Sequence, residues 1–303
     1  MATIRRVGNG DRGLGAGDRK AQSPIPILLS LFLFLSACTP TRPVSKIALL
    51  APFEGVYRQE GYDALAAMRA AIADLCPAGG DVLPLALDTS QGVARTAQKA
   101  LADPAVIAIV GPYWVMEGLE VAPLMGDKTW FFPYAPGNGG TWAAEAVDAA
   151  SAFAQADGRA LLLAGTNAGW PRMDVPLLAG PDDVPADGVV LWLGDAAAGA
   201  GFALALWERL PGTPFGLYGA GAETFRLRVG DGMGGPVFLV GWIDTGYATW
   251  AANHSPNTPA AYTIYRQTAD ALCHPAGEKS ATRWEPAIFT LGADGSLVLS
   301  PGY

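Results

Sequence analysis

Apolar residues fall along this chain in short runs that end in Gly or Pro, and most runs lead into a stretch with helical spacing. SKIALLAPFEG (45–55) and its echo VIAIVGP (106–112) are the clearest cases. Runs of this length, closed by a turn, are too short for buried helices and read as strands covered on both faces. Behind the first turn, Leu65, Met68, Ile72 and Leu75 recur at three- and four-residue intervals. That stripe predicts a helix over 62–76 lying on a sheet, stopped by Pro77-Ala78-Gly79-Gly80. Strands are predicted at 82–87, 105–110 and 129–132, with helices at 93–102 and 117–125. Asp88-Thr89-Ser90 supplies turn and cap chemistry after the second strand. Strand, turn and helix in repetition predict a doubly wound lobe, in which ligands gather at the carboxyl ends of the strands, here 52–57 and 112–117.

The second half repeats the theme with less helix. A helix is predicted at 143–156, strands at 159–164, 188–193, 214–218 and 236–241, and a helix at 196–209. Residues 165–187, rich in Pro and Gly, and the Gly-rich stretch 220–235 read as loops, the latter at a cleft. GAGAET within it is only loosely like a phosphate-cradling loop. Tyr262, Tyr265, Ala269 and Leu272 share a stripe and predict a helix over 259–272. Runs at 286–291 and 296–299 about Ala293-Asp294-Gly295 predict a hairpin.

The amino end reads as an address. Arg5, Arg6, Arg12, Arg19 and Lys20 precede an apolar run over 25–35 that is short for a bilayer span, and Leu35-Ser36-Ala37-Cys38 matches a bacterial lipoprotein processing signal. The expectation is a signal peptide over 1–37, lipidation of Cys38, a tether over 38–45, and residence in the cell envelope outside the cytoplasmic membrane. Of the 303 residues, half are hydrophobic and 16% charged, which excludes a disordered chain. Five basic and two acidic residues lie before Cys38, leaving 15 basic and 26 acidic residues, a net of −11. A body that acidic argues against nucleic acid as a partner.

KIALLAPFEGVYRQEGYDALAAMRAAIADL resembles the opening strand, P-x-x-G turn and first helix of the type 1 periplasmic binding proteins, the leucine/isoleucine/valine-binding class that serves ABC transporters. DPAVIAIVGP, with Ala122-Pro123-Leu124 after it, is similar to that family's second motif. The resemblance is good over 45–133 and architectural beyond. It implies an α/β fold of two doubly wound parallel-sheet lobes. The amino-terminal lobe would comprise 46–137 with 250–280; a shortened second lobe would comprise 138–249 with 281–303. The hinge would lie near Gly137–Gly140. It also implies a small-molecule ligand held between the lobes and an ABC permease as partner. Cys76 and Cys273 would end neighbouring helices of one lobe, either joined as a disulfide or left as two buried thiols.

The departures from the family define the candidate site. Where amino-acid-binding relatives place Ser or Thr after Gly-Pro, this chain has Tyr113-Trp114, and the next strand ends Pro133-Tyr134. With Tyr57, these aromatics would line the cleft and stack on flat or cationic groups, and Glu54 and Glu117 would receive an ammonium. Asn167, Glu223 and Asp244 are the candidates from the second lobe. Alternatively the aromatics fill a cleft that binds nothing, as in a degenerate lipoprotein acting as a scaffold or regulator, for example of cell-wall synthesis. No G-x-S-x-G elbow, Walker loop or H-E-x-x-H occurs; His254 and His274 read as surface residues, and Cys273-His274 with His254 lacks the spacing of a metal site. The expectation is no enzyme, no cofactor and no metal.

Overall fold

The computed structural model describes residues 44–75, 81–133, 142–165, 175, 177–218, 221–254, 259–273, 282–292 and 294–300. The amino-terminal address, including Cys38, lies outside them, as do Cys76, Tyr134, the expected hinge, Asn167 and His274. Among the described residues no helix is long and apolar enough to cross a membrane.

The first sheet is parallel, in the order β2-β1-β3-β4, built from β1 (Ser45–Ala51), β2 (Val82–Asp88), β3 (Val106–Val110) and β4 (Thr129–Phe131). Strand alternation sends Ile47, Leu49, Ala108 and Val110 to one face, under α1 (Arg58–Leu75) and α8 (Pro259–Cys273). Ala48, Leu50 and Ile109 point the other way, under α2 (Val93–Ala102) and Val121 of α3 (Val115–Val121). Helices on both faces explain why these strands are apolar without alternation.

The second sheet runs β10-β9-β8-β7-β6-β5. Its strands are β5 (Ala160–Ala164), β6 (Gly188–Trp192), β7 (Phe215–Tyr218), β8 (Val237–Ile243), β9 (Glu285–Leu291) and β10 (Leu297–Leu299). The first four are parallel; the last two form the expected hairpin and make the sheet mixed. Val189, Leu191 and Leu193 pack under α4 (Trp142–Ala156), while Val190 and Trp192 pack under α5 (Ala196–Arg209). In the first sheet β1 has a strand on each side. In the second, β5 has β6 on one side and, on the other, a single parallel bridge from Leu163 to Leu177, with Leu178 N–H on Leu163 O at 2.7 Å. Residues 177–187 supply that bridge and one 3-10 turn, Pro181–Asp183. A bridge of one residue thus stands where the first lobe has a strand.

Two helices were not foreseen. The Gly-rich stretch read as a loop contains α6 (Ala222–Val229), and α7 (Tyr247–Asn253) follows β8. Glycines crowd both flanks of α6, but none lies within AETFRLRV. Ala222, Phe225 and Val229 fall three and four apart and are buried, which decides the matter for helix. Tyr247 and Trp250 do the same for α7. The third helix begins earlier than expected, at Val115, and gives way at Ala122 to a 3-10 turn containing Pro123.

Gly61 sets how closely α1 sits on the first turn. A Cβ there would lie 1.9 Å from Pro52 O, so only Gly admits the observed packing. Gly61→Ala is expected to destabilise the fold by about 1–3 kcal/mol, read as a lower urea midpoint; an unchanged midpoint would contradict this packing.

Candidate functional site

The carboxyl ends of β1 and β3 converge on the second lobe. After β1 the chain makes a 3-10 turn, Gly55–Tyr57, and enters α1. After β3 come Tyr113 and Trp114, whose rings meet edge to face at 5.4 Å; Trp114 meets Tyr57 likewise at 4.5 Å. Tyr113 is 1% exposed and belongs to the core, whereas Tyr57 and Trp114 are half-buried. A Cβ on Gly221, at the start of α6, would lie 3.4 Å from Trp114, 3.6 Å from Tyr57 and 2.4 Å from Ala196 Cβ. The aromatic wall therefore stands directly against the second lobe.

Tyr57 is anchored there. Its hydroxyl donates to Asp195, the N-cap of α5, and accepts from Ala197 N–H at 3.2 Å. Burial, and secondarily the Asp195 carboxylate, push the phenol pKa up, so the proton stays on Tyr57. One turn further along α1, Glu60 is fully buried; its Oε1 accepts from Thr224 N–H at 3.1 Å and faces Thr224 Oγ1 at 2.9 Å.

Glu117 occupies the third position of α3, after its N-cap Trp114. Burial raises its pKa, the neighbouring Glu120 and Asp88 add to the effect, and Trp114 N–H and Thr89 oppose it; the balance is about 7. Reaching back to Trp114 N–H is an ordinary helix-capping role and satisfies one oxygen. The other, Oε2, is buried with no hydrogen-bond partner, and the buried Thr89 hydroxyl stands beside the carboxyl. Asp88 braces the floor: Oδ1 accepts Phe53 N–H at 2.8 Å and Ser90 N–H at 3.2 Å, and these donors, with the Ser90 hydroxyl, outweigh burial and hold its pKa low.

The remaining candidates fall elsewhere. Glu54 is exposed on the first turn. Asp244 is a cross-link: Oδ1 accepts from Gly246 N–H and the Tyr262 hydroxyl, and Oδ2 from Arg266 at 2.9 Å, tying the end of β8 to α8. Glu223 is held by Arg226 through two hydrogen bonds of 2.8 and 2.7 Å. Cys273 ends α8 with an exposed thiol. His254, expected at the surface, stacks on Trp250 at 5.1 Å and is half-buried. The sequence reading placed Glu60 near the edge of the cleft wall but not as a contact between lobes, and it missed Asp195 and Thr224. Asp195 had a signal, since it directly precedes a helix.

No known family description matches this sequence, and no curated protein does either. Solved structures do. A leucine-binding protein, LivK, from Thermotoga maritima is 12% identical, covers 85% of this chain and 98% of its own, and superposes with a TM-score of 0.59. A possible leucine/isoleucine/valine-binding protein from Rhodopirellula baltica is 13% identical, with 86% and 98% covered and a TM-score of 0.60. The branched-chain amino acid transporter substrate-binding protein LivJ from Streptococcus pneumoniae, solved with isoleucine, is 12% identical, with 85% and 100% covered and a TM-score of 0.53. At these identities the likeness is one of fold: the chain has the two-lobe type 1 periplasmic-binding-protein architecture.

Because native Glu117 keeps its proton to about pH 7 while the unfolded chain releases it near 4.5, the folded state binds more protons between these values. Stability therefore falls as pH rises through that window. Glu117→Gln is expected to remove this loss. Its melting temperature should match wild type at pH 4 and exceed it at pH 8, by about 2–4 °C for each kcal/mol; parallel profiles would contradict the assignment.

Proposed function

We propose that this chain is a lipid-anchored, extracytoplasmic solute-binding protein that takes a small polar or amino-acid-like ligand between its lobes and passes it to an ABC permease. The anchor rests on the Cys38 signal, and the permease on the fold. One observation carries the ligand: Glu117 Oε2 lies buried and unpartnered on the helix that follows β3, near the carboxyl ends of parallel strands, where such folds collect ligands. A buried carboxyl without a partner is costly, and a protonated amine supplies the missing charge and hydrogen bonds. Trp114 beside it offers an aromatic face that would add about 0.5–2 kcal/mol to a cation. Tyr57 forms the wall beside Trp114, and Glu54 the rim; Tyr113 backs the wall from the core, and Tyr134 is a candidate from the sequence alone. No group here performs catalysis in this reading.

A second reading, a scaffold or regulator that carries no solute, is favoured by a different observation: Tyr57 and Glu60 fill the lobe junction with direct contacts. A thermal-shift screen of the full chain against amino acids, amides, amines, nucleosides and sugars separates the two. An amine-bearing solute is expected to raise the melting temperature, Glu117→Gln to abolish the shift, and Trp114→Ala to weaken affinity at least about tenfold, or about 1.4 kcal/mol. A screen without any shift would sink the transport reading, and a shift that survives Glu117→Gln would sink the assigned site.

A further inference from the structure

The N-terminus of α6 has a backbone N–H to satisfy and no side chain of its own to do it, because the cap residue is Gly221, with φ at +101° and no side-chain cap hydrogen bond. The acceptor comes from the opposite lobe. Glu60 Oε1 takes the Thr224 N–H at 3.1 Å and lies 2.9 Å from the Thr224 hydroxyl, which also approaches Val56 O at 3.0 Å. Glu60 is 0% exposed, and its second oxygen is buried without a partner. Burial raises the Glu60 pKa and the Thr224 donors pull it back; a carboxyl group held against the amino end of a helix, on donors from a separate lobe, occupies the position that a bound anion takes at such a terminus.

The neighbouring helix is engaged in the same way. Asp195 caps α5 through Oδ1 on Ala198 N–H at 2.8 Å, leaving Oδ2 for the Tyr57 hydroxyl, which in turn accepts from Ala197 N–H. Tyr57 and Glu60 lie three residues apart, so a single turn of chain reaches two helix termini of the other lobe.

We propose that the N-terminus of α6 is a carboxylate-binding site whose resident ligand is Glu60, and that Glu60 and Tyr57 together latch the two lobes to each other. An added consequence is specificity. Among the described residues, Asp195 and Tyr57 take the Ala198 and Ala197 N–H groups of α5, and Glu60 takes the Thr224 N–H of α6, so a solute's own carboxylate would have to displace them. The inference holds under either reading of function.

The test is the distance between spin labels carried by unnatural amino acids at Lys99, exposed on α2, and Glu208, exposed on α5, which leaves Cys273 unmodified. In the wild type, pulsed electron resonance is expected to give one narrow distance without solute. Glu60→Ala should broaden and lengthen it, and 100 mM-range formate, a carboxylate small enough for the vacated place, should restore the narrow peak where chloride at the same ionic strength does not. Should Glu60→Ala fail to fold, the milder pair Glu60→Gln with Tyr57→Phe, which keeps both side-chain volumes, is read by the same distance. An unchanged narrow peak in the variants overturns the latch. A broadened peak that formate and chloride affect alike overturns the carboxylate site.

Discussion

The contact on which this molecule's arrangement depends is a buried carboxylate at the start of a helix in the other lobe. Glu60 reaches Thr224 across the junction, and Tyr57, one turn earlier, reaches Asp195 and Ala197. Removing an acceptor from a buried N–H leaves a donor unsatisfied, at a cost of about 1–3 kcal/mol, so each lobe completes the other's hydrogen bonding. The aromatic contacts follow from this. With Tyr57 pinned, Trp114 packs on its ring and on Gly221, where the absence of a Cβ lets the lobes approach. The apolar core accordingly runs from the first sheet through Tyr113 and Ala222 into the second without a break.

A junction closed in this way changes what the fold can do. A two-lobe binding protein captures ligand by a shift between open and closed states, and a ligand moves that equilibrium only as far as its differential affinity allows. Under the proposed latch, the chain itself stabilises the contact between the lobes, and a solute at the proposed site beside Glu117 would gain little from bringing the lobes together. At its β5 edge the second sheet has one partner strand and a single bridge, and the junction supplies contacts of its own.

Most of the architecture was legible in the chain. Strands covered on both faces are apolar throughout, so β1, β3, β6 and β8 stand out, and α1 carries an unbroken stripe at helical spacing. Where legibility failed, two local signals competed. Glycines at 221, 230, 232, 234 and 235 argue for a loop, and the eight residues between the first two argue for a helix only once Phe225 and Val229 have a sheet to bury against. Site residues were legible as chemistry and not as partners. Tyr57, Trp114 and Glu117 read as an aromatic and acidic cleft wall, but a tyrosine reads alike whether it meets a ligand or an aspartate 138 residues away. Asp244 shows the converse: its place at a strand end resembled a ligand position, while Tyr262 and Arg266, both on α8, claim its oxygens.

The most direct test of the closed junction is amide hydrogen exchange at Thr224 and Ala197 in the solute-free protein. Both amides lie in first turns of helices, where no intrahelical carbonyl is available, and such groups exchange rapidly when only water serves them. If Glu60 and Tyr57 hold the lobes together, both should exchange as slowly as the amides of β8, and rapid exchange at both would contradict the account.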